Sequence, residues 1–253
     1  MWARQLDGLL WLLLLLVPLF VVQRRLHFET QAVLLLLTRR GDISTALFAV
    51  LFFPGVLLHE TSHFIMARLL RVRTVNFSLI PKPQPDGKLQ LGYVETDRTD
   101  LLRDALIGAA PLIAGGVFVA YAGLHMLGLG TLWEPFRSLD LTMLADRTIA
   151  LSNQPDFWLW LYLAIAVSST MLPSASDRRA WMPISIVLIL LTALAIVAGA
   201  GPWLEENGLP FISRALRAVA IVFGLSLVLQ FIILVPTWGL RKVISRLTNL
   251  RVV

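Results

Sequence analysis

Five consecutive residues have the types and spacing for metal chemistry: His59-Glu60-Thr61-Ser62-His63. Histidines four apart on a helix project from one face, where two imidazoles can share a zinc ion. Zinc lowers the pKa of a bound water toward about 7, and the intervening Glu60 can take its proton and return it to a leaving amine. A catalytic zinc takes three protein ligands and keeps one position open. The chain has no cysteine and four histidines, so the third ligand must be His, Asp or Glu. Asp177 is the best placed, with Glu95, Asp97, Asp100 and Asp104 as alternatives. The run Pro173-Ser174-Ala175-Ser176-Asp177-Arg178-Arg179 also reads as a turn that caps the next helix.

The elements that must position these groups are membrane helices. Of 253 residues, 57% are hydrophobic and 15% charged, and the mean hydropathy is +0.75. A soluble domain is roughly 45–50% apolar and about 25% charged. A carboxylate inside so apolar a helix as the one carrying Glu60 is costly and marks a functional site. A bilayer core of about 30 Å needs roughly 20 apolar residues in helix. Six stretches fit or approach that length: 6–22, 43–70, 101–127, 157–172, 180–200 and 212–235. Ala32–Leu37 is too short to cross and reads as a surface segment. Leu9–Val22 resembles a signal-peptide core, but Arg24 and Arg25 follow it without a cleavage site, so it reads as an uncleaved anchor.

Between the second and third spans, Val75–Ser78 and Leu89–Val94 read as short strands around a Pro- and Gly-rich turn. The fold class is therefore an all-α polytopic membrane protein of about six transmembrane helices, with a short β-hairpin loop between helices two and three. It divides into an anchor region (1–40), a core carrying the motif (41–180) and a C-terminal helical pair with a basic tail (181–253). The third span is rich in small residues, which allow close helix packing in lipid.

The net charge of +6 sits in arginines at the ends of apolar runs, a topology signal and not a nucleic-acid stripe. If spans two to six alternate, Arg68, Arg71, Arg73, Arg98, Arg103, Arg178, Arg179 and the basic tail share one side, expected to be cytoplasmic. His59–His63 and Asp177 come out near that face. His125 falls at the far end of the third span, and His27 falls outside the spans. Arg24, Arg25, Arg39 and Arg40 do not fit that scheme.

The residues after the motif extend it. His59-Glu60-Thr61-Ser62-His63-Phe64-Ile65-Met66-Ala67-Arg68-Leu69-Leu70-Arg71-Val72 resembles the active-site helix of the site-2 protease family of intramembrane zinc metalloproteases, whose pattern is HExxH-F-x-x-A-R-x-x-G-V. Val75-Asn76-Phe77-Ser78 resembles the strand that follows, Leu91-Gly92-Tyr93-Val94 the family's Gly-Tyr-Val strand, and Ala109-Ala110-Pro111-Leu112 its Gly-Pro-Leu helix opening. The family's closing motif is Asn-x-x-Pro followed by Asp-Gly. Here Thr170 stands for Asn, Pro173 matches, Asp177 is one residue nearer the proline and Arg178 replaces Gly, which makes the chain a divergent relative.

The resemblance implies zinc held by His59, His63 and Asp177, Glu60 as catalytic base, and substrate contacts from Phe77, Ser78, Gly92 and Tyr93. It implies hydrolysis of membrane-protein substrates in a bacterial cell (inner) membrane, with the lipid bilayer and the substrate as partners. Two other readings belong beside it: a degenerate zinc-binding membrane scaffold, and a proton-coupled transporter in which Glu60 carries the proton.

Overall fold

A computed structural model describes residues 7–83 and 89–250. The centre of the expected turn, 84–88, lies outside the described residues, as does Arg251 of the basic tail. The helices are α1 (Asp7–Thr38), α2 (Gly41–Leu69), α3 (Leu101–Tyr121), α4 (Trp133–Arg137), α5 (Leu141–Ser152), α6 (Phe157–Thr170), α7 (Trp181–Ala195) and α8 (Leu209–Thr248). A π-helical turn, Ala122–Met126, extends α3. The strands β1 (Thr74–Ser78), β2 (Lys82–Pro83), β3 (Leu89–Gln90) and β4 (Tyr93–Thr96) all lie between α2 and α3.

Among the described residues, four helical stretches are long and apolar enough to cross a membrane: Asp7–Thr38, Gly41–Leu69, Leu101–Met126 and Trp181–Thr248. The last is broken at Gly199, whose φ of 94° is incompatible with continuous helix. The expected fourth span is α6, a shorter apolar helix of 14 residues. Large apolar side chains such as Leu14, Val17, Val50, Val117, Trp158 and Leu188 face outward, the pattern of a surface whose solvent is lipid. The core instead joins α1, α3, α6 and α8 through Leu19, Val119, Ala164, Met171, Phe223 and Leu229.

Two expectations about the N-terminal region change. Ala32–Leu37 is no separate surface segment: α1 runs unbroken to Thr38, with Ala32, Val33 and Leu36 buried. His27 lies within that helix, against the rings of Phe48 and Phe52. The helix passes Arg25 because Glu29, fully buried, pairs with Arg25 at 2.7 Å and with Arg241 of α8. A buried carboxylate held by two guanidiniums satisfies the charge that would otherwise end an apolar segment.

The direction of α8 also differs. Gly8 donates to Ser213 Oγ at 3.2 Å, while Glu29 meets Arg241, so α1 and α8 run parallel. α1 and α2 are antiparallel and joined by two residues, with Ser44 Oγ donating to Gln31 O at 3.4 Å. The tail after Arg241 therefore extends toward the α1–α2 connection, away from the end of α2 that carries His59–His63. Basic residues occupy both ends of the bundle, so their placement does not favour one side.

α2 ends in a tight reversal. Val72 N–H donates to Ala67 O at 2.8 Å and Arg71 N–H to Arg68 O at 3.1 Å, with Val72 packed on Ala67. This is a Schellman cap, which needs a left-handed residue, and Arg71 adopts φ 58° to make it. The cap turns the chain straight into β1, which pairs antiparallel with β4 in the register Phe77↔Val94 and Ser78↔Tyr93. The second strand is shorter and later than the sequence suggests, starting at Tyr93, while Leu89–Gln90 forms a separate two-residue pairing with Lys82–Pro83.

Candidate metal centre

His59 and His63 lie one turn apart on α2, and their rings are edge-on with centroids 4.9 Å apart. The two imidazoles are oriented from behind. His59 Nδ1 is 2.7 Å from Thr170 O, and His63 Nδ1 is 2.8 Å from Ile107 O. A carbonyl only accepts, so each Nδ1 carries the proton and each Nε2 presents a bare lone pair. The two Nε2 atoms face each other at 3.2 Å. Asp177 completes the convergence, with Oδ2 3.7 Å from His59 Nε2 and Oδ1 3.4 Å from His63 Nε2. Ligand atoms of all three residues lie within 4.8 Å of one another. Three acceptors meet here with no donor among them, an arrangement that a cation resolves. The backbone-anchored tautomers are those of metal-ligating histidines.

The sequence explains why those carbonyls are free. Pro111 lies four residues after Ile107 in α3 and has no N–H to return to it. Thr170 is the last residue of α6, where carbonyls have no helical partner. Thr170 contributes this carbonyl and not its side chain, whose Oγ1 donates back to Ala166 O at 3.0 Å.

Asp177 sits in the turn between α6 and α7. Ser174 N–H donates to its Oδ2 at 2.7 Å, and Asp177 N–H donates to Ser174 Oγ at 3.3 Å. Burial alone would raise the carboxyl. The hydrogen bond that Ser174 N–H donates acts the other way and favours the carboxylate. The whole turn is pressed on α3. A Cβ on Gly108 would lie 1.9 Å from Asp177 O, so only glycine permits the approach. Arg179 adds a two-pronged bond to Asp104, at 2.8 and 2.7 Å. The stretch is a turn, as the sequence suggests, but it does not cap α7, whose N-cap Ala180 has no side-chain bond; it brings Asp177 within reach of the two histidines.

The other acids considered as ligands are engaged elsewhere or stand apart. Asp104 belongs to Arg179, Asp100 caps α3 by accepting from Arg103 N–H at 3.0 Å, and Glu95 accepts from Asn76 at 3.0 Å. Asp97 does not join the cluster. His125 is away from it too, against the Tyr121 ring.

Glu60 is buried beside the two histidines and lines, with them, a cleft of about 910 Å³. Gly92 and Tyr93 line the same cleft. A Cβ on Gly92 would come within 2.8 Å of Glu60 Cγ, so glycine here leaves room for the carboxylate. Phe77 and Ser78 do not line it: they lie on β1, behind β4, with the Phe77 ring 5.7 Å from Phe64. Of the four residues expected to contact substrate, the structure brings two to the site.

The sequence placed Ser174 and Arg179 in a turn and Asp104 among the alternative ligands, but gave no sign that these residues and Gly108 support Asp177. Gly108 carried a signal, as one of the small residues of the third span, but nothing in the sequence tied it to Asp177. The chain matches no protein-family model, no curated protein and no solved structure.

Proposed function

We propose that this chain is an intramembrane zinc metalloprotease that hydrolyses peptide bonds of membrane-protein substrates. The observation that carries the reading is the convergence of His59 Nε2, His63 Nε2 and the Asp177 carboxylate on one point, without a donor, beside buried Glu60. The donor set is nitrogen and oxygen only, three ligands on an open cleft, which fits zinc with a position left for chemistry. Zinc, when bound, would polarise a substrate carbonyl and acidify a water.

Each protein group has a role in that chemistry. Glu60 accepts the proton from the attacking water and passes it to the leaving nitrogen. Thr170 and Ile107 carbonyls hold the imidazoles in the ligating tautomer. Ser174 N–H keeps the Asp177 carboxylate turned toward the histidines. An unwound substrate segment lies along β4, which borders the cleft, taking main-chain hydrogen bonds that demand no particular sequence. Arg71 supports the family reading in a separate way. It holds the left-handed position that the site-2 protease pattern fills with glycine.

The deciding experiment compares zinc content and cleavage in wild type and Glu60→Gln. The variant is expected to bind one zinc and to lose cleavage by at least the ~10²–10⁴-fold typical of a general base. Zinc binding without cleavage in the wild type would favour the scaffold instead. Cleavage by Glu60→Gln at the wild-type rate would remove Glu60 from the mechanism.

A further inference from the structure

The C-terminus of α6 is held by three other helices. Met171 N–H makes its last backbone bond, to Val167 O at 2.9 Å. Pro173 has no N–H, and Ser174 N–H is committed to Asp177. The carbonyls of Ser168, Ser169 and Thr170 are therefore left for side chains. Gln230 of α8 donates to Ser168 O at 2.9 Å, Gln23 of α1 to Ser169 O at 2.6 Å, and His59 of α2 bonds Thr170 O.

Both glutamines accept a cost for this. Gln230 is fully buried, and the Oε1 atoms of Gln23 and Gln230 are buried without a donor. An orphaned buried acceptor costs roughly 1–3 kcal/mol. Apolar residues of similar volume would avoid it, so the donors are what the fold retains. The turn they clamp is the one that orients His59 through Thr170 and, seven residues on, carries Asp177.

We propose that Gln23 and Gln230 are positioning residues of the metal centre. They fix the last turn of α6 so that one metal ligand is oriented by it and another is delivered from it. This rests on the zinc reading above.

The test measures zinc affinity by chelator competition, and the visible spectrum of the cobalt-substituted protein, on the purified full-length chain. The variants are Gln23→Leu and Gln230→Leu. Loss of a partner behind a metal ligand typically weakens binding by ~10–100-fold, and each variant is expected to fall in that range with a changed cobalt spectrum. Ser226→Ala is the control. Ser226 is equally buried on α8 and touches no α6 carbonyl, so its replacement is expected to leave both readouts as in wild type. Gln23 is half-buried, so Gln23→Leu still reports if Gln230→Leu fails to assemble. Wild-type affinity and spectrum in Gln23→Leu would overturn the proposal while leaving the metal site standing. Absence of stoichiometric zinc from the wild type would instead overturn the metal reading, and the positioning role with it.

Discussion

Replacing Gly108 with alanine tests whether Asp177 is held against α3 as described. The added Cβ would sit 1.9 Å from Asp177 O, 2.9 Å from its carbonyl carbon and 3.3 Å from its Cα. All three are backbone atoms, so no rotamer change relieves the clash. Raising the closest contact from 1.9 Å to 3.0 Å moves the turn by 1.1 Å. Metal–ligand distances tolerate only about 0.2 Å, so Asp177 must leave its position. Zinc affinity is expected to fall by at least ~10–100-fold, or about 1.4–2.8 kcal/mol. Alanine is the better helix former by ~1 kcal/mol, so weakening of α3 itself cannot account for a loss. Gly116→Ala on the same helix is the control: its Cβ would meet nothing closer than Val222 at 3.6 Å. Chelator competition on the purified proteins reads both. Wild-type zinc affinity in Gly108→Ala would refute the placement of the Asp177 turn.

Asp177→Ala removes one of the three proposed ligands and is expected to bring zinc below one per chain, read by metal analysis after dialysis; unchanged stoichiometry would move the third ligand to another acid. Gly92→Ala crowds Glu60 at Cγ, Cδ and Oε1, with approaches of 2.8, 3.2 and 3.2 Å, and is expected to lower kcat while zinc affinity stays at the wild-type value. Arg71→Gly relieves a non-glycine residue at φ 58° and is expected to stabilise the protein by about 1 kcal/mol, seen as a raised thermal midpoint with unchanged zinc content.

What could be read from the sequence was what local spacing determines. Two histidines at a helical interval must share a face wherever the helix ends up, and Asp177 was reachable because an apolar run returned it to that level. The misreadings share a different cause. Arg24 and Arg25 looked like the end of a span because their compensation is remote: Glu29 meets Arg241, 212 residues away. Asp104 looked like a spare ligand because Arg179, its partner, lies 75 residues on. His27 fell outside the expected spans because the helix around it continues only when Glu29 is paired. β4 began later than the alternating pattern suggested, since Leu91 and Gly92 are spent on reaching the cleft. Each turns on a tertiary partner, which neither propensity nor hydrophobic period can reveal.

A metal site in an apolar bundle has a requirement that a soluble one does not. In water, solvent can accept the second N–H of a ligating histidine. In lipid the backbone is a ready acceptor, but the carbonyls of a regular helix already take one bond each and point along its axis. Carbonyls wholly free for an imidazole N–H occur where helices are interrupted. Pro111 interrupts α3 from within and leaves Ile107 O for His63. The end of α6, with Pro173 three residues beyond, leaves Thr170 O for His59. Both prolines belong to the stretches that resemble the protease family's later motifs. Their part in this chain is to release two main-chain oxygens at the depth where α2 needs them. The same break that ends α6 opens the turn on which Asp177 comes back. The third proposed ligand and the support for the first thus follow from one interruption, and moving Pro173 would be expected to disturb both together.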